Sequence, residues 1–146
     1  MRFKTSAGTG LLVLRVAVGL VFLMHGWTKM FGMQISFVQE MLAMVGWVLP
    51  AWLLSVVAWL ELVGGLALVS GIFTRPFALL LGVEMIVAVI LFHARQGFFI
   101  ASVPNAPLAY GFEYHITLIA GLACLALAGP GAWSLDKWSV EKWRSD

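Results

Sequence analysis

Apolar positions in this chain come in long unbroken runs, and the polar residues are confined to the short intervals between them. The runs cover residues 11–31, 52–72, 77–92 and 112–128. Each is close to the roughly 20 residues that a helix needs to cross the hydrocarbon of a bilayer, so the pattern predicts four membrane-spanning helices. Gly71 and Pro76 set a tight turn between the second and third, and Gly129, Pro130 and Gly131 stop the fourth. The first run follows a short basic segment with Arg2 and Lys4, as a secretory leader would. Arg15, His25 and Lys29 within and after its core, and the lack of a small-residue cleavage site, favour a retained span.

Two intervals differ from the runs. Within residues 32–50, Phe37, Met41, Met44 and Val48 recur at helical spacing among Gln34, Ser36, Gln39 and Glu40. That alternation predicts an amphipathic helix lying at the membrane interface between the first and second spans. Residues 95–111, with Phe98, Phe99, Pro104 and Pro107, read as a loop dipping into the interface or over the bundle.

Composition agrees with the pattern. Of 146 residues 62% are hydrophobic and 11% charged, with a mean hydropathy of +0.97. A soluble domain carries about 25% charged residues. The expected architecture is therefore an all-α membrane protein, a single domain over 1–146 built as a four-helix bundle. Its first partner is the lipid bilayer. A formal charge of +2, without clusters of Lys or Arg, excludes a nucleic-acid surface. Cys124 is the sole cysteine, so neither an internal disulfide nor a CxxC pair can form. Arg2, Lys4, Arg75, Lys137, Lys142 and Arg144 fall on one side of the bundle, and Lys29 and Arg95 on the other. The positive-inside rule then puts both termini in the cytoplasm. Trp27, Trp47 and Trp52 at one face, and Trp133, Trp138 and Trp143 at the other, suit the two headgroup levels.

Ionisable residues inside the spans are the candidates for chemistry. A charge at the bilayer centre costs on the order of 3 kcal/mol even on insertion scales, so such groups must meet one another or a wet cavity. Arg15, His25 and Lys29 fall within an arc of roughly 80° on the first helix. Glu61 and Glu84 lie near the middle of the second and third. Arg15 is expected to pair with Glu61, Glu84 or both, either as a structural lock or beside a proton relay formed by the two carboxyls. A second group, His25, Lys29, His93, Arg95, Glu113 and His115, lies toward the non-cytoplasmic end. On regular helices His93 is about 180° from Glu84, and Glu113 about 200° from His115, so they should not all converge. Glu113, on a face with Thr117, Ala120 and Cys124, is expected to point into the bundle. His25, Lys29, His93 and Glu113 are the candidate ligand-binding residues. A quinone or another amphipathic molecule fits them better than a metal or haem, for which neither HxxxH spacing nor facing mid-span histidines are present.

These residues fall in stretches that resemble the DoxX family. The opening stretch runs Arg15-Val-Ala-Val-Gly-Leu-Val-Phe-Leu-Met-His-Gly-Trp-Thr-Lys-Met-Phe-Gly32. It is followed in order by Glu61-Leu-Val-Gly-Gly65, Gly71-Ile-Phe-Thr-Arg75, His93, Gly97-Phe-Phe99, Gly111-Phe-Glu-Tyr114, Gly129-Pro-Gly131 and Ser134-Leu-Asp136. The resemblance implies a four-helix, multi-pass protein of the bacterial cytoplasmic membrane. It carries the family's characteristic ionisable positions onto Arg15, His25, Lys29, Glu61 and Glu113. Some relatives are linked to a thiosulfate:quinone oxidoreductase, others to a complex joining superoxide detoxification to thiol balance, and many carry only an oxidoreductase label. The expected function is an integral membrane component of an oxidoreductase system, with quinone as the candidate ligand and a soluble redox protein as partner. The alternative is a non-enzymatic membrane anchor or assembly factor that recruits a soluble redox enzyme. A small-solute transporter is disfavoured by the lack of repeat halves. Substrate, cofactor and enzymatic status stay open, and glycine-rich helix faces permit a homo-oligomer.

Overall fold

The computed structural model describes residues 7–32, 34–101 and 109–136. Arg2, Lys4, Lys137, Trp138, Lys142, Trp143 and Arg144, used above for orientation, lie outside them, as do Pro104 and Pro107. The chain forms helices α1 (Ala7–Phe31), α2 (Gln34–Met44), α3 (Ala51–Ser70), α4 (Thr74–Leu91) and α5 (Glu113–Ala128). A 3₁₀ turn (His93–Gln96) and a two-residue antiparallel ladder, β1 (Ile100–Ala101) with β2 (Ala109–Tyr110), join α4 to α5. The fold is all-α apart from that small hairpin. By length and composition α1, α3 and α4 can each cross a membrane, whereas α5 is a shorter apolar helix of 16 residues.

Glycine decides how α1 meets α3. A Cβ on Gly19 would come within 2.9 Å of the Gly65 carbonyl oxygen, and one on Gly26 within 2.8 Å of that of Ala58. A Cβ on Gly65 would in turn strike the backbone of Leu23 and Gly19. The two backbones therefore touch along most of their length, as small residues allow between membrane helices. Against this pair, α4 and α5 close a core of Val18, Phe22, Leu68, Leu81, Leu122 and Leu125. Outward positions such as Val13, Leu66, Val83 and Ile90 are apolar and exposed, a surface suited to lipid. A smaller cluster of Leu42, Leu54 and Phe92 ties α2 to α3 and to the end of α4.

The end of α3 is closed by distant sequence. Gly71 adopts φ 75°, which ends α3 in the left-handed conformation and returns its N–H to Ala67. The Asp136 carboxylate accepts the N–H groups of Phe73 at 2.7 Å and Thr74 at 3.0 Å, satisfying the start of α4. Pro76 sits harmlessly in that first turn. Residues 129–136 form a strap across this end. Ala132 donates to the Gly8 carbonyl at 2.8 Å, and Asp136 donates to that of Gly71 at 2.9 Å.

Arg15 belongs to this closure, which corrects the expected pairing with Glu61 or Glu84. It is 1% exposed, donates through one terminal nitrogen to the Trp133 carbonyl at 3.0 Å and packs on Gly71. The reason is axial. Gly71 lies ten positions beyond Glu61 on α3, about 15 Å along the axis, so a guanidinium seated on Gly71 is held at the far end of the helix pair.

Candidate functional site

Lys29, not Arg15, pairs with the Glu61 carboxylate. Close approach at Gly26 brings the last turns of α1 against α3, and the Lys29 Nζ lies 2.6 Å from Glu61 Oε1. The carboxylate is almost fully buried at 2% exposure, and the ammonium is partly buried at 24%. In so dry a place a short, charge-assisted contact is the condition for keeping either charge.

Beside this pair opens a cavity of about 580 Å³. Its floor is Phe22, Met85 and Leu118, and α2 walls it with Phe37, Val38 and Met41. His25, Lys29, Glu61, Glu84, His93, Tyr114 and His115 also line it, so polar groups from α1, α3, α4, the 3₁₀ turn and α5 meet in one mostly apolar chamber. Ligand sites of drug-sized molecules have this size and character.

Convergence of Glu84 and His93 contradicts the helical-phase expectation. α4 ends at Leu91, Phe92 turns away at φ −125° and ψ −59°, and His93 opens a 3₁₀ turn. Once the α-helix has stopped, 100° per residue no longer applies, and the His93 side chain is free to return toward the Glu84 face. There its ring stacks on that of His115, with centroids 3.8 Å apart and planes at 40°. Among the described residues no set of three or more His, Cys, Asp or Glu is placed to hold a metal ion.

Glu113 and His115 exchange the places foreseen for them. Glu113 opens α5 and its Oε1 accepts the N–H of Ile100 at 3.1 Å, which fastens the hairpin to the helix start. It does not line the cavity, and Thr117, Ala120 and Cys124 on its face are exposed. The buried face is Leu118, Leu122 and Leu125, and His115 continues it by one turn. That three-and-four spacing was present in the sequence and identifies His115 as the inward residue. Phe98 and Phe99 likewise stay outside the cavity, packed edge-to-face with centroids 5.0 Å apart, with Phe98 also edge-to-face against Phe112. Arg95 holds the end of α2 by donating to the Val45 carbonyl at 2.6 Å.

Apolar helices too exposed to face water, enclosing a chamber with paired charges at its wall, define a helical membrane protein with an internal amphipathic site. The family follows from comparison: the DoxX model matches residues 10–94, and this chain belongs to the DoxX family. It is 31% identical to the inner membrane protein YqjF of Escherichia coli (strain K12) over 140 residues, covering 96% of this chain and 99% of the relative. It is 31% identical over 127 residues to the inner membrane protein YphA of the same strain, covering 87% of this chain and 88% of the relative. A Bacillus subtilis (strain 168) protein named "Putative oxidoreductase CatD" is 30% identical over 127 residues, with 87% and 84% covered. No solved structure matches the chain.

Proposed function

We propose that this DoxX protein is a multi-pass component of an inner-membrane oxidoreductase system, in which the cavity binds a quinone-like amphiphile drawn from the bilayer. α1, α3, α4 and α5 are its four spans, α2 lies at the interface on the non-cytoplasmic side, and both termini face the cytoplasm. At 1.5 Å per residue α5 is about 24 Å long, enough to serve as the fourth span with the hairpin and the strap at its ends. The observation that carries this reading is the cavity itself: a mostly apolar lining that also holds Lys29–Glu61, Glu84 and the adjacent His93 and His115 rings. His25, Lys29 and His93 are the ligand-contacting groups. Glu61 and Glu84 exchange protons with it, while a soluble redox partner supplies electrons. The oxidoreductase name of one relative is consistent with this role.

The test is a titration of decylubiquinone into the purified protein in lipid nanodiscs, read by tryptophan quenching and thermal stability. Saturable quenching and a raised midpoint are expected. Ala88→Trp, which fills the chamber wall, should abolish both while the protein remains folded. Quenching no greater than in empty nanodiscs would remove the quinone reading.

A non-enzymatic anchor or assembly factor is the second reading, favoured by the structural contacts of Arg15. It requires that a soluble enzyme still be recruited by the Ala88→Trp variant.

A further inference from the structure

Six buried side-chain polar atoms among the described residues have no hydrogen-bond partner, and they occupy two places. Arg15 Nε, one Arg15 terminal nitrogen and Thr74 Oγ1 lie at the strapped end. Glu61 Oε2, Glu84 Oε2 and His115 Nδ1 all belong to residues that line the cavity. Buried polar atoms in folded proteins are overwhelmingly paired, so three orphans around one chamber specify what the chamber receives.

Their chemistry is not equivalent. Glu61 is 2% exposed and its other oxygen accepts from the Lys29 ammonium at 2.6 Å, so Oε2 is the unengaged acceptor of that ion pair. Glu84 Oε2 and His115 Nδ1 accept or donate according to where a proton sits. An anionic head group would meet two carboxyl groups against one ammonium that is already engaged. A head with carbonyl or ether oxygens alone, such as an oxidised quinone, leaves Glu61 Oε2 without a donor and so binds more weakly than its O–H counterpart. A head carrying O–H supplies one, and its apolar remainder lies along Phe22, Met41, Leu54 and Met85.

We propose that the cavity selects apolar molecules whose head group donates a hydrogen bond, such as a phenol, quinol or long-chain alcohol, and that Glu61 Oε2 is the selecting acceptor. This rests on the reading that the cavity binds a membrane-derived amphiphile, and adds the polarity of its head. Beside any contact of its own with the ligand, Lys29 then positions Glu61. It fixes Glu61 through Oε1 and leaves Oε2 as the unengaged acceptor.

The experiment compares 4-nonylphenol with 4-nonylanisole, which share ring and tail and differ in the O–H. Both are titrated into the unaltered protein in nanodiscs, with partitioning into empty nanodiscs subtracted. A hydrogen bond to a charged acceptor predicts about tenfold tighter binding of the phenol. In Glu61→Gln the preference should fall to about threefold or less, and in Glu113→Ala it should persist. Should Glu61→Gln fail to fold, Lys29→Met/Glu61→Leu takes its place, with the same loss expected. Equal affinity for phenol and ether overturns the proposal and leaves the cavity reading intact. A tenfold preference that survives loss of the Glu61 carboxylate also overturns it. Failure of both probes to bind overturns the cavity reading together with it. Phenol selectivity without decylubiquinone binding keeps this proposal and removes the quinone link.

Discussion

The two ends of the α1/α3 pair each bury a cation, and they use it differently. At one end Arg15 is enclosed by Gly71 and by a strap of eight residues, 129–136, whose carbonyl and carboxylate groups complete the closure. At the other, Lys29 and Glu61 neutralise each other on the wall of a chamber large enough for a ligand. The difference lies in what covers the charge. Backbone folded over Arg15 makes it part of the architecture, whereas side chains around Lys29 leave the second oxygen of its partner without a hydrogen bond. An ionisable residue in a membrane helix is therefore not a functional residue by that fact alone.

Four changes would break or sharpen this contrast. The largest effect is expected for Lys29→Ala, which strands the Glu61 carboxylate in a dry site and should cost about 3 to 5 kcal/mol. Lys29→Met/Glu61→Leu should recover most of that stability without recovering the preference for phenol over ether, as a thermal melt beside the paired titration would register. If the double variant still shows that preference, the charged wall is only structural. Next comes Gly71→Ala, where a Cβ would strike the Arg15 guanidinium at a left-handed φ of 75°. A loss of about 2 kcal/mol is expected in reversible unfolding, with affinity at the cavity unchanged in the folded fraction. Coupled losses of both would show the two ends to be one system.

Asp136→Ala removes the acceptor for two N–H groups at the start of α4, for an expected loss of about 1 kcal/mol. Hydrogen exchange should then quicken at Phe73 and Thr74 and not at His93. The smallest effect belongs to Glu113→Ala. It frees one hairpin N–H at an exposed position, so stability should fall by less than about 1 kcal/mol. Ligand affinity should stay within about twofold. A larger fall in affinity would restore Glu113 to the site.

The helices were legible because their signals are local. Apolar runs, Gly71 and the Gly129–Pro130–Gly131 stop place the boundaries of α3, α4 and α5 within a few residues of the structure. The amphipathic spacing from Phe37 likewise anticipated α2. Within the site, His25, Lys29, Glu61, Glu84 and His93 all reach the cavity as candidate residues, although helical phase set His93 opposite Glu84. Regular helical phase holds only as far as Leu91, and the 3₁₀ turn at His93 ends it. Glu113 was over-weighted because charge was read ahead of the apolar stripe Leu118, Leu122 and Leu125 that identifies the inward face of α5.

Sequence alone determined that this chain is a helical membrane protein of the DoxX family and which few ionisable residues its apolar helices contain, since hydropathy, helix-stop residues and family motifs are properties of consecutive residues. Tertiary structure decided who pairs with whom. Arg15 meets the carbonyl of Trp133, 118 positions away, and Lys29 meets Glu61 across 32. Those choices depend on how far one helix slides along another before glycine backbones touch, and contact at Gly19, Gly26 and Gly65 fixes that distance only once both helices are in place.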